Sequence, residues 1–123
     1  MQPDNRDIAL LWDMRETARE TLEFTANVTF EGFVRERVLI YATERQLAVI
    51  GEAARKVSAA FRQAHPEIPW DGFISRRNLI IHDYGEITAE RIWRVIAKEL
   101  PGLVAALDPL IPAEPPDKAD SDN

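Results

Sequence analysis

The side chains best suited to acid–base and phosphate chemistry lie together in RRNLIIHDYGEI, residues 76–87. The segment contains Arg77 and, five residues later, His82. A guanidinium binds phosphate with two N–H groups and stabilises the charge that builds on it during transfer. An imidazole that titrates near neutrality can accept a proton from an attacking hydroxyl or donate one to a leaving oxygen. Together they suffice for RNA cleavage without a metal ion, because the 2′-hydroxyl supplies the nucleophile.

Helical geometry restricts how these residues can meet. Each residue of a regular helix turns by about 100°, so Asn78 and His82 share a face, and so do Arg77 and Tyr84. Arg77 and His82 diverge by about 140°. They converge only if the helix opens near Gly85 or if two copies of the motif meet across a two-fold axis. The alternative is an ordinary packed helix with an arginine and a histidine at its polar edge.

Other chemical sites are poorly supported. The two histidines lack the helical spacing of a metal site, no cysteine is present, and no glycine-rich phosphate loop occurs. We therefore predict neither a metal nor a cofactor. His65 precedes a proline and is interpreted as a surface residue. Arg45 and Glu52 are seven residues apart on an otherwise apolar helical row, where a structural ion pair that holds helices in register competes with a catalytic role.

Composition is that of a single globular domain. The 123 residues are 46% hydrophobic and 29% charged, with a net charge of −6. This balance argues against a general nucleic-acid coat. Residues 26–98 carry eleven basic and nine acidic side chains, a balance of +2 that permits a local cationic site. No apolar run approaches about 18 residues and no signal-peptide pattern is visible, so a cytoplasmic protein without a membrane partner is expected.

Hydrophobic periodicity predicts an all-α protein. Asp4 can cap a first helix, a long second helix is predicted over Phe33–Ala64, and a third begins near Trp70 and carries the motif. Thr88 can cap a fourth helix, and Pro101 should kink that helix or shift its axis. The prediction is a four-helix bundle.

The domain is expected to cover residues 1–111, followed by a disordered, proline-rich acidic tail over 112–123. On the second helix two apolar rows are visible, one of them containing Val38 and Tyr41. A second apolar row suggests that the helix is buried in a bundle or that one face meets another chain.

Four ordered segments resemble one protein family. They are RQLAVIGEAARKVS (45–58), PEIPW (66–70), RNLIIHDY (77–84) and IWRVIAKELPGL (92–103). Together they are similar to the HepT-type toxins of the HEPN superfamily, and the similarity extends over nearly all of residues 5–107.

The resemblance implies an all-α HEPN bundle, a homodimer whose two motifs line one cleft, and a metal-independent endoribonuclease acting on RNA. By position, Arg77 and His82 match the catalytic pair, and Asn78 matches the polar residue after the arginine. Arg76 adds positive charge that favours a phosphate backbone, and Tyr84 is expected to contact the RNA as well.

The resemblance also implies a toxin–antitoxin pair of the type VII kind. A minimal nucleotidyltransferase (MntA-like) would be the antitoxin, and Tyr84 matches the tyrosine to which such a partner transfers AMP. Two alternatives remain: a non-catalytic HEPN module that pairs with a nucleotidyltransferase, and a plain structural dimer.

Overall fold

The computed structural model describes the backbone of residues 4–75 and 86–113, and this part of the chain consists of helices and their connections. The elements are α1 (Asn5–Phe24), α2 (Phe30–Arg35), α3 (Arg37–Lys56), α4 (Ala59–Ala64), α5 (residues 70–75), α6 (Glu86–Arg94), a π-helical turn (Val95–Glu99), α7 (Leu100–Leu107) and a 3-10 turn (Asp108–Leu110). No strand occurs among the described residues, and the all-α prediction is confirmed.

The first helix begins where the sequence predicts. The Asp4 carboxylate accepts a hydrogen bond from the backbone N–H of Asp7 at 2.7 Å, which satisfies one of the free donors at the helix start. The buried positions of α1 recur every three or four residues, at Ile8, Leu11, Met14 and Ala18. This apolar stripe packs against α3 and α7.

The single long helix predicted over Phe33–Ala64 is wrong, because the chain forms α2, α3 and α4 instead. The break between α3 and α4 has a tertiary cause. The backbone N–H of Ser58 donates to Asp7 Oδ1 at 2.9 Å, and its hydroxyl donates to Asp7 Oδ2 at 2.6 Å. The Ser58 hydroxyl in turn accepts from Phe61 N and caps α4. A carboxylate on α1, 51 positions away in sequence, therefore ends one helix and starts the next.

A π-helical turn lies directly before Pro101, the residue at which the sequence predicts a disturbed helix. The N–H of Leu100 donates to the carbonyl of Val95, five residues back. Proline has no N–H to donate, and in a regular helix its ring would collide with the carbonyl of Ala97. One wider turn removes that collision, so the helix continues into α7. The prediction for Thr88 is wrong, since α6 begins at Glu86 and contains Thr88.

The C-terminal part of the described chain is fastened to α1. Asp108 lies 3.1 Å from a guanidinium nitrogen of Arg15 and 2.9 Å from one of Arg19. Leu107 and Ile111 are buried in the same core as α1. Residues 114–123, most of the tail predicted to be disordered, lie outside the described residues. Within residues 4–75 and 86–113, no helix combines the length and the apolar character needed to cross a bilayer.

Candidate active site and its flanking helices

All five side chains predicted to carry the chemistry lie outside the described residues: Arg76, Arg77, Asn78, His82 and Tyr84. The same holds for Gly85, at which a helix opening was considered. Their convergence and their roles stay predictions. The structure does describe the two helices from which the chain enters and leaves this motif.

The helix that enters the motif, α5, is anchored by apolar side chains. Trp70 and Phe73 are buried, and so is Ile68 in the turn before them. The Phe73 N–H donates to the Pro69 carbonyl at 3.3 Å, the first helical hydrogen bond of this element. The first turn of α5 is therefore attached to the core, and its last buried residue, Phe73, lies three residues before Arg76.

His65 helps to build this start and is not the surface residue that the sequence suggests. Its backbone carbonyl accepts a hydrogen bond from the indole N–H of Trp70 at 2.9 Å. Its ring lies 4.4 Å from the ring of Phe61, centroid to centroid. The sequence indicates this contact only by placing a histidine and a tryptophan on either side of two prolines. The geometry of the turn is needed to interpret that spacing.

The polar edge of the same turn contains a second interaction of His65. Its Nδ1 is 3.1 Å from a carboxylate oxygen of Glu67, while its Nε2 is buried and has no hydrogen-bond partner among the residues that the structure describes. The pKa of Glu67 lies below its ordinary value because the carboxylate accepts a hydrogen bond from its own backbone N–H and because it contacts His65.

The helix that leaves the motif, α6, is anchored by aromatic packing. The Trp93 ring lies 5.2 Å from the Phe33 ring and 6.0 Å from the Phe30 ring, both on α2. Ala89 and Ile92 are buried in the core. Phe73 before the motif and Ala89 after it belong to the same hydrophobic cluster, so both flanking helices are held by one core.

An apolar row of α3 faces outward. Val38 is 79% exposed and Tyr41 is 60% exposed, whereas Leu47 and Ile50 of the same helix are buried. Single exposed apolar residues are common, but two such residues one turn apart on one helix face are less so. This is the row on which the sequence places Arg45 and Glu52.

The predicted ion pair between Arg45 and Glu52 is not formed. Glu52 instead lies 2.6 Å from Arg55 and 3.8 Å from Lys56, both on α3 itself. Seven residues of helix place the two Cα atoms about 10 Å apart, whereas Arg55 and Lys56 lie on the next turn.

Metal ligands are sparse in the described residues. Among the side chains that the structure describes, in residues 4–75 and 89–113, no group of three or more histidine, aspartate or glutamate side chains is close enough to hold a metal ion.

Comparison with known proteins points to one family. The family described as Ribonuclease HepT-like matches residues 14–110. "Putative RNase MJ1380" of Methanocaldococcus jannaschii is 34% identical over 97 residues, covering 78% of this chain and 89% of that protein. "Probable ribonuclease HepT" of Thermococcus cleftensis is 31% identical over 100 residues, covering 81% of this chain and 91% of that protein. No solved structure gives a significant match.

The family match spans α1 from its middle to the 3-10 turn after α7, and so includes both flanking helices and the motif between them. A match over most of the chain, and relatives above 30% identity that are covered nearly end to end, leave one conclusion. The chain belongs to the HepT-like ribonuclease family.

Proposed function

We propose that this protein is a metal-independent endoribonuclease that acts as the toxin of a toxin–antitoxin pair. The observation that carries the proposal is an Arg-x4-His motif, Arg77 to His82, within a chain of the HepT-like ribonuclease family. The anchoring of α5 and α6 in one core supports it, because a catalytic pair needs rigid elements on both sides.

The chemistry assigned to the motif is an internal transfer. The 2′-oxygen of the RNA attacks the adjacent phosphorus, the bond from phosphorus to the 5′-oxygen breaks, and a cyclic phosphate and a 5′-hydroxyl result. One proton leaves the 2′-hydroxyl and one reaches the 5′-oxygen. His82 carries one of these protons and water the other, while Arg77 stabilises the charge on the phosphate. Asn78 orients the imidazole, and Arg76 adds attraction for the backbone.

A homodimer would bring the two motifs together. On one regular helix Arg77 and His82 diverge, so a second copy across a two-fold axis is the simpler way to complete a site. The outward row of α3 is the surface we assign to this contact. Val38, Tyr41 and Ala48 follow one another at spacings of three and seven residues, which places them on one helix face, and Val38 and Tyr41 are exposed in the single chain.

The proposed partner is a minimal nucleotidyltransferase that silences the toxin by transferring AMP to Tyr84. The phenolic oxygen of Tyr84 would attack the α-phosphorus of ATP, pyrophosphate would leave, and the phenolic proton would pass to solvent. The added phosphate brings negative charge beside Arg77, where it would compete with the RNA backbone. Tyr84→Phe should therefore cleave RNA and resist silencing.

The test of the enzyme is digestion of RNA by purified protein in the presence of a chelator. We expect wild type to cleave, and His82→Ala and Arg77→Ala to be slower by about a hundredfold or more. Persistence of the wild-type rate in His82→Ala would overturn the catalytic assignment. A folded wild-type protein that binds a nucleotidyltransferase but never cleaves RNA would instead identify a non-catalytic module.

A further inference from the structure

A polar cleft of about 490 Å³ lies between α4 and the start of α5, beside the helix that enters the motif. Its polar side chains are Arg62, Gln63 and Asp71. Pro66 and Pro69 form part of its apolar wall. The volume lies within the range of sites that bind small molecules, and the mixture of a few polar groups with flat apolar walls is typical of such sites.

Arg62 is held in place for binding. Its Nε donates to the carbonyl of Val57 at 3.1 Å, and the side chain is half buried. Among residues 4–75 and 86–113 no carboxylate forms an ion pair with Arg62, although Arg15, Arg19 and Arg55 all have such partners. The two terminal nitrogens of a guanidinium oriented in this way are suited to a phosphate.

The carboxylate of Asp71 restricts which ligands the cleft can bind. A free phosphate would be repelled by a carboxylate in the same cleft, whereas the amino group of a nucleobase donates to one. Gln63 adds an amide that can both donate and accept. A ligand with a phosphate at one end and an amino-bearing base at the other satisfies both Arg62 and Asp71. Unpaired bases in RNA present such edges, and those in a duplex do not.

The cleft lies close enough to the motif to act on the same RNA. Asp71 precedes Arg77 by six residues, so their Cα atoms are at most about 22 Å apart. An RNA strand of several nucleotides can span this distance from a scissile phosphate at the motif. We propose that this cleft binds one unpaired nucleotide of the RNA substrate outside the scissile position, with its phosphate at Arg62 and its base at Asp71. The inference rests on the proposed function for its choice of RNA.

Binding of labelled single-stranded RNA 12-mers to full-length His82→Ala protein, followed by fluorescence anisotropy, tests the phosphate contact. Adding Arg62→Gln should raise the Kd about five- to tenfold. It should also reduce the slope of log K against log salt by about 0.7, the value for one contact to a single strand. Arg94→Gln is the matched control, because Arg94 is an exposed arginine of α6 outside the cleft. Equal effects of both substitutions would mean general electrostatic attraction and would overturn the proposal.

Gln63 provides variants that do not disturb the fold, since its side chain is exposed. Gln63→Lys should tighten binding several-fold and Gln63→Glu should weaken it by a similar factor. These variants test whether RNA binds in the cleft even if the loss of the Arg62 hydrogen bond to Val57 destabilises Arg62→Gln. No change of Kd in either variant would contradict an RNA strand in the cleft.

Asp71 controls base preference in this proposal. Oligomers of adenosine or cytidine carry an exocyclic amino group that uridine lacks, so they should bind about three- to tenfold more tightly than oligouridine. Asp71→Asn should reduce this difference without changing the salt dependence. An unchanged preference would overturn the base contact. Displacement of the RNA by free AMP at the oligomer's own Kd would assign the cleft to a mononucleotide instead.

The two proposals fail in different ways. If RNA binding depends on Arg62 and Asp71 but wild type does not cleave RNA, the proposed nuclease activity is overturned and the assignment of the cleft stands. If wild type cleaves RNA but substitutions at Arg62, Gln63 and Asp71 leave the Kd for RNA unchanged, only the proposed role of the cleft is overturned. A wild-type protein that neither binds nor cleaves RNA would overturn both.

Discussion

Asp7 shows at the scale of single residues how one buried carboxylate organises two helices. It is only 4% exposed, and both of its oxygens accept hydrogen bonds from Ser58. Hydrogen bonds to an ionised group contribute more than those between neutral groups, and a buried donor left without an acceptor costs additional free energy.

We expect Asp7→Ala to lower the free energy of unfolding by about 3 kcal/mol, because it removes two charge-assisted hydrogen bonds and leaves the Ser58 N–H without its acceptor. Urea denaturation measures this change. Glu23→Ala is the control, since Glu23 is an exposed acid of the same helix and its loss should change stability by less than about 0.5 kcal/mol. Equal midpoints for the two variants would contradict the structural role of Asp7.

Two glutamates should shape the pH dependence of stability in opposite directions. The pKa of Glu67 is lowered, so its stabilising contribution is present above its ordinary value of 4.5 and is lost as the pH falls through the folded pKa. Partial burial raises the pKa of Glu44 above 4.5, so its unfavourable contribution appears as the pH rises from 4.5 through the folded pKa.

Urea midpoints between pH 3 and pH 7 should separate these contributions. Relative to wild type, Glu67→Gln should lose less stability on acidification, and Glu44→Gln should gain stability as the pH rises above about 4.5. Parallel curves for wild type and Glu44→Gln across this range would contradict the burial effect.

At the scale of elements, the six-residue helix α2 depends on tertiary packing. Isolated helices of this length are not stable in water. Its Thr29 cap accepts a hydrogen bond from Gly32, and Phe33 is buried against Trp93 of α6. Packing against α6, the helix that leaves the motif, therefore stabilises α2.

Phe33→Ala should destabilise the protein by about 3–5 kcal/mol, the usual cost of removing a fully buried phenylalanine. Phe30→Ala is the matched control, because Phe30 contacts the same Trp93 ring but is 37% exposed, and it should cost less than half as much. Urea denaturation followed by far-UV circular dichroism would report both. A smaller effect for Phe33 than for Phe30 would contradict this packing.

At the scale of the whole molecule, the exposed row on α3 predicts self-association. Because Val38 is 79% exposed, Val38→Asp should not affect the fold of one chain, but it would place charges in the proposed seam. Light scattering should show the mass of a dimer for wild type and that of a monomer for Val38→Asp. Ala105→Asp is the control, since Ala105 is an exposed alanine on α7. Equal masses for wild type and Val38→Asp would exclude this surface as the dimer contact.

If the dimer completes the active site, the rate of RNA cleavage should fall when the dimer is lost. Val38→Asp should reduce the rate in proportion to the loss of dimer, while the helical circular-dichroism spectrum of the chain stays unchanged. Full activity in a monomeric variant would show that one chain contains the whole site.

Local patterns of the sequence determined much of this fold. The α1 cap at Asp4 and its buried stripe follow from residue type and helical spacing alone. The disturbance at Pro101 follows from a missing N–H. The motif from Arg77 to His82 is likewise visible as spacing, and the sequence also indicates that one regular helix would keep the two apart.

Only the tertiary structure decided where the second helical region breaks and what holds the turn before α5. The break at Ser58 depends on Asp7, and the turn depends on the Trp70 indole reaching the His65 carbonyl. Helical periodicity records which residues share a face but not which distant group will compete for a backbone N–H. Contacts of that kind become favourable only when packing brings the partners together, because the burial of polar groups makes their pairing necessary.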